Sequence, residues 1–289
     1  MKLTDITQIK ALLARHGFRF SKSLGQNFLI ADWVPEQIAQ RAGIDRETGV
    51  LEIGPGIGCL TAALSQRAGK VLAVEVDKAL APILAETLEG RENVELLFAD
   101  ALKLDLRQLV QEKLSPLRPV VCANLPYNVT SPILTALIRS GCFQQITVMI
   151  QREVARRICA WAGEADYGAF GLFVQWYTEP EILFEVPPSC FLPQPKVTSA
   201  VIRLNRRETP PAAVQDEELL FRIIRAAFNQ RRKTLANALS AGIQELSKEQ
   251  IEEVLKSCGL DPRIRGETLS LGGFAEIANK IGEYLSADL

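Results

Sequence analysis

Asn124-Leu125-Pro126-Tyr127 combines an amide, a backbone carbonyl followed by proline, and an aromatic ring. These are the groups a protein needs to hold a flat, amine-bearing base. The exocyclic amine of adenine is a poor nucleophile because its lone pair is shared with the ring. Two acceptors, the Asn124 side-chain oxygen and the Leu125 carbonyl, can bind both amine hydrogens and draw the nitrogen toward tetrahedral geometry. The Tyr127 ring can stack on the base, a contact worth about 1–3 kcal/mol. The same four residues equally suit an ordinary strand-ending turn, since Asn and Pro favour turns. They follow an apolar run, Pro119-Val120-Val121-Cys122-Ala123, that reads as a buried strand. The stretch is therefore expected at a strand's carboxyl end.

A second group of residues points to a nucleotide-like ligand. Glu52-Ile53-Gly54-Pro55-Gly56-Ile57-Gly58 follows a strand pattern and opens a helix pattern. Glycines such as Gly54 and Gly56 let a ligand approach the backbone, and the helix N-terminus adds polarity. The spacing is Gly-x-Gly-x-Gly, which disfavours pyrophosphate binding relative to the dinucleotide fingerprint. Glu75 ends the next strand, where an acid can take both ribose hydroxyls of an adenosine. Asp100 ends the third, in Phe98-Ala99-Asp100-Ala101, where a carboxylate can accept from an adenine amine. For both acids helix capping and solvation are the bland alternatives. S-adenosylmethionine fits these residues better than NAD. An amine attacking a sulfonium methyl needs alignment and acceptors rather than a strong base.

These groups need a scaffold, and the composition supplies one. The chain has 289 residues, 47% of them hydrophobic, enough for a large domain and a small one. No run approaches a membrane span, and the N-terminus shows no secretion signal. Six scattered cysteines suit free thiols in a reducing cytoplasm. The single histidine, His16, argues against a zinc site or a His-driven triad, so no metal is expected.

From residue 49 strands and helices alternate. Strands are expected at 50–53, 71–76, 94–98, 119–123 and 145–150, with helices at 59–68, 78–89, 105–113, 131–140 and 152–161. This predicts an α/β fold, a mostly parallel sheet with helices on both faces. Residues 5–16 read as a helix, and Asp32 as the cap of another running to Arg41. Residues 181–186 and 197–204 read as an antiparallel edge pair. A polar stretch at 206–216 with Pro210-Pro211 reads as a linker. Helices are then expected at 217–229, 233–242, 248–257 and 273–285. The domains are thus drawn at 1–207, with 1–48 as a helical and lid segment, and at 208–289, a small all-α domain.

The net charge is −1, but cations cluster. Lys2, Lys10, Arg15, Arg19 and Lys22 face Asp5 alone in the first thirty residues. Arg222, Arg225, Arg231, Arg232 and Lys233 fall in one acid-free stretch. Such patches on a neutral chain suit a nucleic acid bound at one face, or simply solvated helix faces.

On these motifs the chain resembles the KsgA family, the bacterial dimethyladenosine transferases of small-subunit ribosomal RNA, over nearly its whole length. Ser23-Leu24-Gly25-Gln26-Asn27-Phe28-Leu29 resembles the family's cofactor-lid motif. Residues 52–58, Glu75-Val76-Asp77, Asp100 and Asn124-Leu125-Pro126-Tyr127 resemble its cofactor and target-base motifs. Phe191-Leu192-Pro193-Gln194-Pro195-Lys196-Val197 resembles the motif whose aromatic stacks on the flipped base. Phe228-Asn229-Gln230-Arg231-Arg232-Lys233-Thr234-Leu235 resembles the marker that opens the helical domain. The resemblance implies a Rossmann-like methyltransferase domain and S-adenosylmethionine as cofactor. It implies cofactor contacts at Asn27, Leu29, Gly54, Glu75, Asp100 and Asn124, and the glycine-loop reading adds Gly56. It implies dimethylation of two adjacent adenosines in a hairpin loop near the 3′ end of 16S rRNA, in a small subunit or its precursor. A cytoplasmic monomer without membrane contact is expected. Two departures stand out: Ala99, where a glycine commonly precedes the acid, and Ala169, where a basic residue often follows Tyr167-Gly168.

A target adenine must leave its stack, at a cost of a few kcal/mol. Tyr127 and Phe191 are expected to offset that cost from opposite faces. Arg222, Arg225 and Arg232, on one helical face if the helix runs on, are expected to track phosphates with Arg231 and Lys233. Arg152 and Arg156 add to them, and Lys22 neutralises a phosphate near the lid. Three rival enzymes remain: a methyltransferase of large-subunit RNA, one of DNA, and an NAD-dependent enzyme. A ribosome-assembly checkpoint factor is the rival from another class.

Overall fold

The computed structural model describes residues 2–21 and 24–287. Lys22 and Ser23 lie outside the described residues. The elements run α1 (Ile6–Arg15), β1 (Phe28–Leu29), α2 (Trp33–Arg41), β2 (Thr48–Ile53), α3 (Cys59–Arg67), β3 (Lys70–Glu75) and α4 (Ala81–Thr87). They continue through β4 (Val94–Phe98), α5 (Leu106–Lys113), β5 (Arg118–Asn124), α6 (Thr130–Ser140), β6 (Gln145–Gln151) and α7 (Arg152–Cys159). Next come α8 (Ala169–Tyr177), β7 (Thr178–Val186), β8 (Phe191–Leu192) and β9 (Ser199–Arg206). The chain ends with α9 (Glu217–Asn229), α10 (Leu235–Gly242), α11 (Lys248–Ser257) and α12 (Leu271–Ala287). Two compact units result, one of residues 1–155 with 179–206, the other of 156–178 with 207–289.

The first unit is the expected α/β layer. Its sheet has the order β4-β3-β2-β5-β6-β9-β7. β2 runs parallel to β3 and β5, β3 parallel to β4, and β5 parallel to β6, whereas β9 lies antiparallel to β6. Val50, Leu51, Val120, Cys122 and Ala123 are buried on both faces of the sheet, as a parallel sheet covered by helices demands. Truncating one of them, as in Leu51→Ala, is expected to cost about 2–5 kcal/mol. The strand order reverses between β2 and β5. Their following loops therefore part and leave a crevice at the strands' carboxyl ends.

Local signals account for the helix starts. Asp5 caps α1 by accepting from the Thr7 and Gln8 amides, and Ile9, Leu12 and Leu13 form its buried face. Asp32 does not cap α2 as expected. Its backbone is already helical, with φ −55° and ψ −41°, so its carboxylate points elsewhere, to Lys2 and the Thr4 hydroxyl. β1 and β8, unforeseen in the sequence, form a two-stranded antiparallel sheet pairing Phe28 with Leu192 and Leu29 with Phe191.

The second unit is helical and larger than the expected 208–289. It takes in residues 156–178 because Ala160, Tyr167, Leu172 and Trp176 are buried in the same cluster as Leu220, Ile224, Leu239 and Phe274. Tyr167 Oη donates to Leu269 O at 2.6 Å, and Gln175 Nε2 donates to Ile158 O and Ala160 O at 2.8 Å each. α9 packs so closely on α10 that a Cβ on Gly242 would lie 2.3 Å from Ala226 Cβ. Asp216 caps α9, and Ser247 with Gln250 forms a capping box on α11. Among the described residues no helix is long and apolar enough to cross a membrane.

Candidate active site

The loop after β2 adopts a conformation that only glycine takes readily. Gly54, Gly56 and Gly58 have φ of 72°, 60° and 87°. A Cβ on Gly56 would also lie 3.0 Å from the Phe28 ring. Glu75, buried at the end of β3, ties this loop to the next. Its Oε2 accepts from Gly56 N at 3.3 Å and its Oε1 from Asp77 N at 2.8 Å. Burial raises the Glu75 pKa, and the amides of Asp77 and Gly56 work against that rise.

Asn124 ends β5. Its Nδ2 donates to Asn27 O at 3.2 Å. Only the NH₂ end of the carboxamide can donate to a carbonyl, so this partner fixes which way the amide points. Leu125 N donates to Met149 O at 3.1 Å, which fastens the start of the turn to β6. Tyr127 opens a 3-10 turn, and its hydroxyl lies 2.6 Å from Ser199 Oγ on β9. Burial raises the Tyr127 pKa, so the phenol is a tether and not a base at neutral pH.

One cavity of about 280 Å³ is lined by Asn27, Leu29, Gly54, Gly56, Glu75, Asp100, Asn124, Leu125 and Tyr127. Asp100 Oδ1 caps the turn after β4, accepting from Leu102 N at 3.1 Å, and Lys103 lies 3.7 Å from its other oxygen. Part of the capping alternative therefore holds for Asp100. Ala99 carries no strain, because no described non-glycine residue has positive φ.

Phe191 is not at the cavity. It was expected to offer an open ring face, but it is 2% exposed and belongs to the core of the first unit. Pairing with Leu29 across β1 and β8 turns it inward. Of the two expected stacking rings only Tyr127 lines the cavity.

The sequence assigned no individual role to some of the lining residues. Val76 and Leu102 are 52% and 43% exposed and flank the acids on the cavity wall. An apolar residue one or two positions after a strand-ending acid was the available signal. Glu52 is fully buried beneath the glycine loop. Its Oε2 and Thr61 Oγ1 make no hydrogen bond among the described residues. Burial, opposed by the nearby Thr61 hydroxyl, pushes the Glu52 pKa to about 8.

The basic residues divide by partner. In the first unit Arg152 Nη1 bonds to Glu185 at 3.2 Å. In the second, Arg156 is exposed on α7. Arg222 pairs with Glu245. Arg231 lies 3.5 Å from Glu267 and donates to Ala165 O at 3.1 Å. Arg225, Arg232 and Lys233 are exposed. The single helical face expected for Arg222, Arg225 and Arg232 does not form. α9 stops at Asn229, and residues 228–233 instead line a shallow concave turn.

The comparisons agree with this geometry. Residues 17–282 match the family model "Ribosomal RNA adenine dimethylase". The chain is 49% identical to ribosomal RNA small subunit methyltransferase A of Geobacillus thermodenitrificans over 276 residues, 94% of each chain. A dimethyladenosine transferase of Plasmodium falciparum superposes with a TM-score of 0.74, at 24% identity, over 90% of this chain and 98% of its own. The 23S rRNA methyltransferase ErmE gives a TM-score of 0.67 at 26% identity, over 88% of this chain and 99% of its own. A family model spanning both units and a near-full-length relative at this identity leave one conclusion: the chain belongs to the ribosomal RNA adenine dimethylase family.

Proposed function

We propose that the protein transfers methyl groups from S-adenosylmethionine to the exocyclic amines of two adjacent adenosines. These lie in a hairpin loop near the 3′ end of 16S rRNA, within a small subunit or its precursor. The observation that carries this reading is the carboxamide of Asn124. Its nitrogen is committed to Asn27 O, so its oxygen is the atom left to accept. Leu125 O, beside it on the cavity wall, is the second acceptor.

The residues fit an adenosine-bearing cofactor. Glu75 gives one lone pair on each oxygen to a backbone amide, which leaves a free direction on both for a pair of ribose hydroxyls. Val76 and Leu102 supply apolar surface for a purine. Asp100 keeps one oxygen clear of its capping bond for the purine amine. Asn27, Leu29, Gly54 and Gly56 complete the wall. When bound, S-adenosylmethionine supplies an electrophilic methyl on a sulfonium.

The chain's own work is alignment. Asn124 Oδ1 and Leu125 O accept the hydrogens of the target amine and stabilise the charge that grows on its nitrogen. The proton leaves to water, because that nitrogen turns acidic as it is methylated. Tyr127, held by Ser199, stacks on the base. Acceptors of this kind act on the transition state and are typically worth 10²–10³ in rate. Phe191 joins the base only if β1 and β8 shift. Arg152, Arg156, Arg222, Arg225, Arg231, Arg232, Lys233 and Lys22 are the proposed phosphate contacts, which position the RNA without reading its sequence. A cytoplasmic, monomeric enzyme is part of the same reading.

The test is to incubate the protein with methyl-labelled S-adenosylmethionine and small subunits lacking the modification. Label is expected in two adjacent dimethyladenosines of the 16S rRNA. Label confined to large-subunit RNA would replace this reading with the ErmE-like one.

A further inference from the structure

Trp161 is 69% exposed, more than any other large apolar side chain among the described residues. A lone exposed apolar residue is ordinarily unremarkable. Trp161 differs because the backbone around it is pinned. Its own amide donates to Glu164 Oε2 at 3.0 Å, and its carbonyl accepts from Glu164 N at 3.0 Å. Gly163 N donates to Glu267 O at 2.8 Å, and Ala165 O accepts from Arg231 Nη2 at 3.1 Å. The chain thus holds an indole in solvent on an ordered loop.

The anchors tie the loop that carries the indole to a basic run. Arg231 holds the Trp161 loop and also begins the run Arg231-Arg232-Lys233. Glu267, which takes the Gly163 amide, is neutralised by Arg231 at 3.5 Å and Arg265 at 4.0 Å. Arg232 and Lys233 are exposed, and their side chains have no partner among the described residues. They line the concave turn at 228–233. No other large apolar side chain is exposed among the described residues of this unit. A protein partner would bury a patch of such side chains. A single aromatic face on a loop that Arg231 ties to a run of unpaired cations suits an unpaired base whose neighbouring phosphates need charge.

We propose that Trp161 is a stacking platform for an unpaired RNA base whose flanking phosphates lie on Arg232 and Lys233, a second RNA subsite in the helical unit. The inference rests on the reading of the protein as an RNA-modifying enzyme. It does not depend on how the reactive adenine is held.

The experiment uses the full chain in a Trp33→Phe background. Trp176 is buried, so Trp161 is then the one exposed indole. The protein is titrated with an unstructured single-stranded RNA of twelve nucleotides. Quenching of tryptophan emission is expected. Trp161→Ala should weaken RNA affinity about tenfold with the salt slope unchanged, and Trp161→Phe should restore most of the loss. Arg232→Ala or Lys233→Ala should each lower the salt slope by about 0.7. Affinity of Trp161→Ala equal to that of the parent overturns the proposal. Unquenched emission in the parent overturns it too. If Trp161→Ala binds the RNA normally yet fails to bind small subunits, the indole meets a ribosomal protein and the RNA subsite is wrong. Labelled methyl transfer by the parent separates the two readings. Transfer to 16S rRNA with no effect of Trp161 sinks only the subsite, and no transfer to any ribosomal RNA sinks the function it rests on.

Discussion

The side-chain nitrogen of Asn124 donates to the backbone oxygen of Asn27 at 3.2 Å. This bond joins the turn after β5 to the segment that leads into β1. It also orients the carboxamide before any ligand arrives, so no reorganisation is needed when charge develops. Asn124→Ala removes both the acceptor and the tie. Methyl transfer in a single turnover is expected to fall about 10²–10³-fold. Thermal melting should stay close to the parent's, since Asn124 is only half-buried. A folded variant that transfers methyl groups at the parent's rate would exclude the role.

Tyr127 and Ser199 separate a ring's stacking from its positioning. Tyr127→Phe keeps the ring and loses the 2.6 Å bond to Ser199. Ser199, buried on β9, then lacks a partner, at a cost of about 1–3 kcal/mol in stability. Transfer by Tyr127→Phe should stay within about tenfold of the parent. Tyr127→Ala loses stacking worth about 1–3 kcal/mol and should bind the RNA substrate more weakly. Equal RNA affinity in the two variants would show that the ring does not touch the base.

Glu52 predicts a pH dependence of stability. Its ordinary pKa is 4.5 and burial pushes it to about 8 in the folded chain. Below pH 4.5 both states hold the proton and Glu52 contributes nothing. Between 4.5 and 8 the unfolded chain has released the proton and the folded one has not. Stability therefore falls as pH rises, with a limiting slope of about 1.4 kcal/mol per pH unit. Above 8 the penalty is constant. Glu52→Gln cannot ionise, so its stability relative to the parent should grow from pH 5 to pH 8 in denaturant melts. Parallel profiles for the two proteins would mean that Glu52 is ionised in the folded state.

What could be read from the chain alone follows from the range of each interaction. β2 to β6 and the helices between them carry their period in their own residues. The glycine loop, Glu75, Asp100 and Asn124 each sit at the end of such a strand, so reading the strands located the acids and the amide. α8 went unseen because Ala169–Tyr177 is apolar on nearly every side, and such a helix has no polar stripe to reveal its period. β1 and β8 are two residues each, and their pairing joins residues some 160 positions apart. Whether Phe191 is open or buried depends on that pairing, so its own neighbours in sequence cannot tell. Residues 156–178 were drawn with the first domain for a related reason, although the division expected after 207 lies within one residue of that between the two units. Tyr167 and Trp176 read as ordinary apolar residues, and only the packing shows that they belong with α9 to α12.

The basic residues of the second unit rank themselves by partner. Arg222 is committed to Glu245 and also donates to Gly242 O at 3.4 Å, so binding a phosphate requires giving up that pair. Arg232 is exposed and has no partner among the described residues, so it can meet a phosphate at no such cost. Each cation that neutralises a phosphate releases counterions, which appears as a steeper fall of affinity with salt. Arg232→Ala should therefore lower the slope of log K against log salt by about 0.7–0.9, and Arg222→Ala by clearly less. Cofactor affinity should be unchanged in both variants, since neither residue lines the cavity of the first unit. The measurement is an RNA titration at four salt concentrations. An equal loss of slope in both would mean that the Arg222–Glu245 pair opens on binding. An unaltered slope in both would place the RNA's phosphates elsewhere.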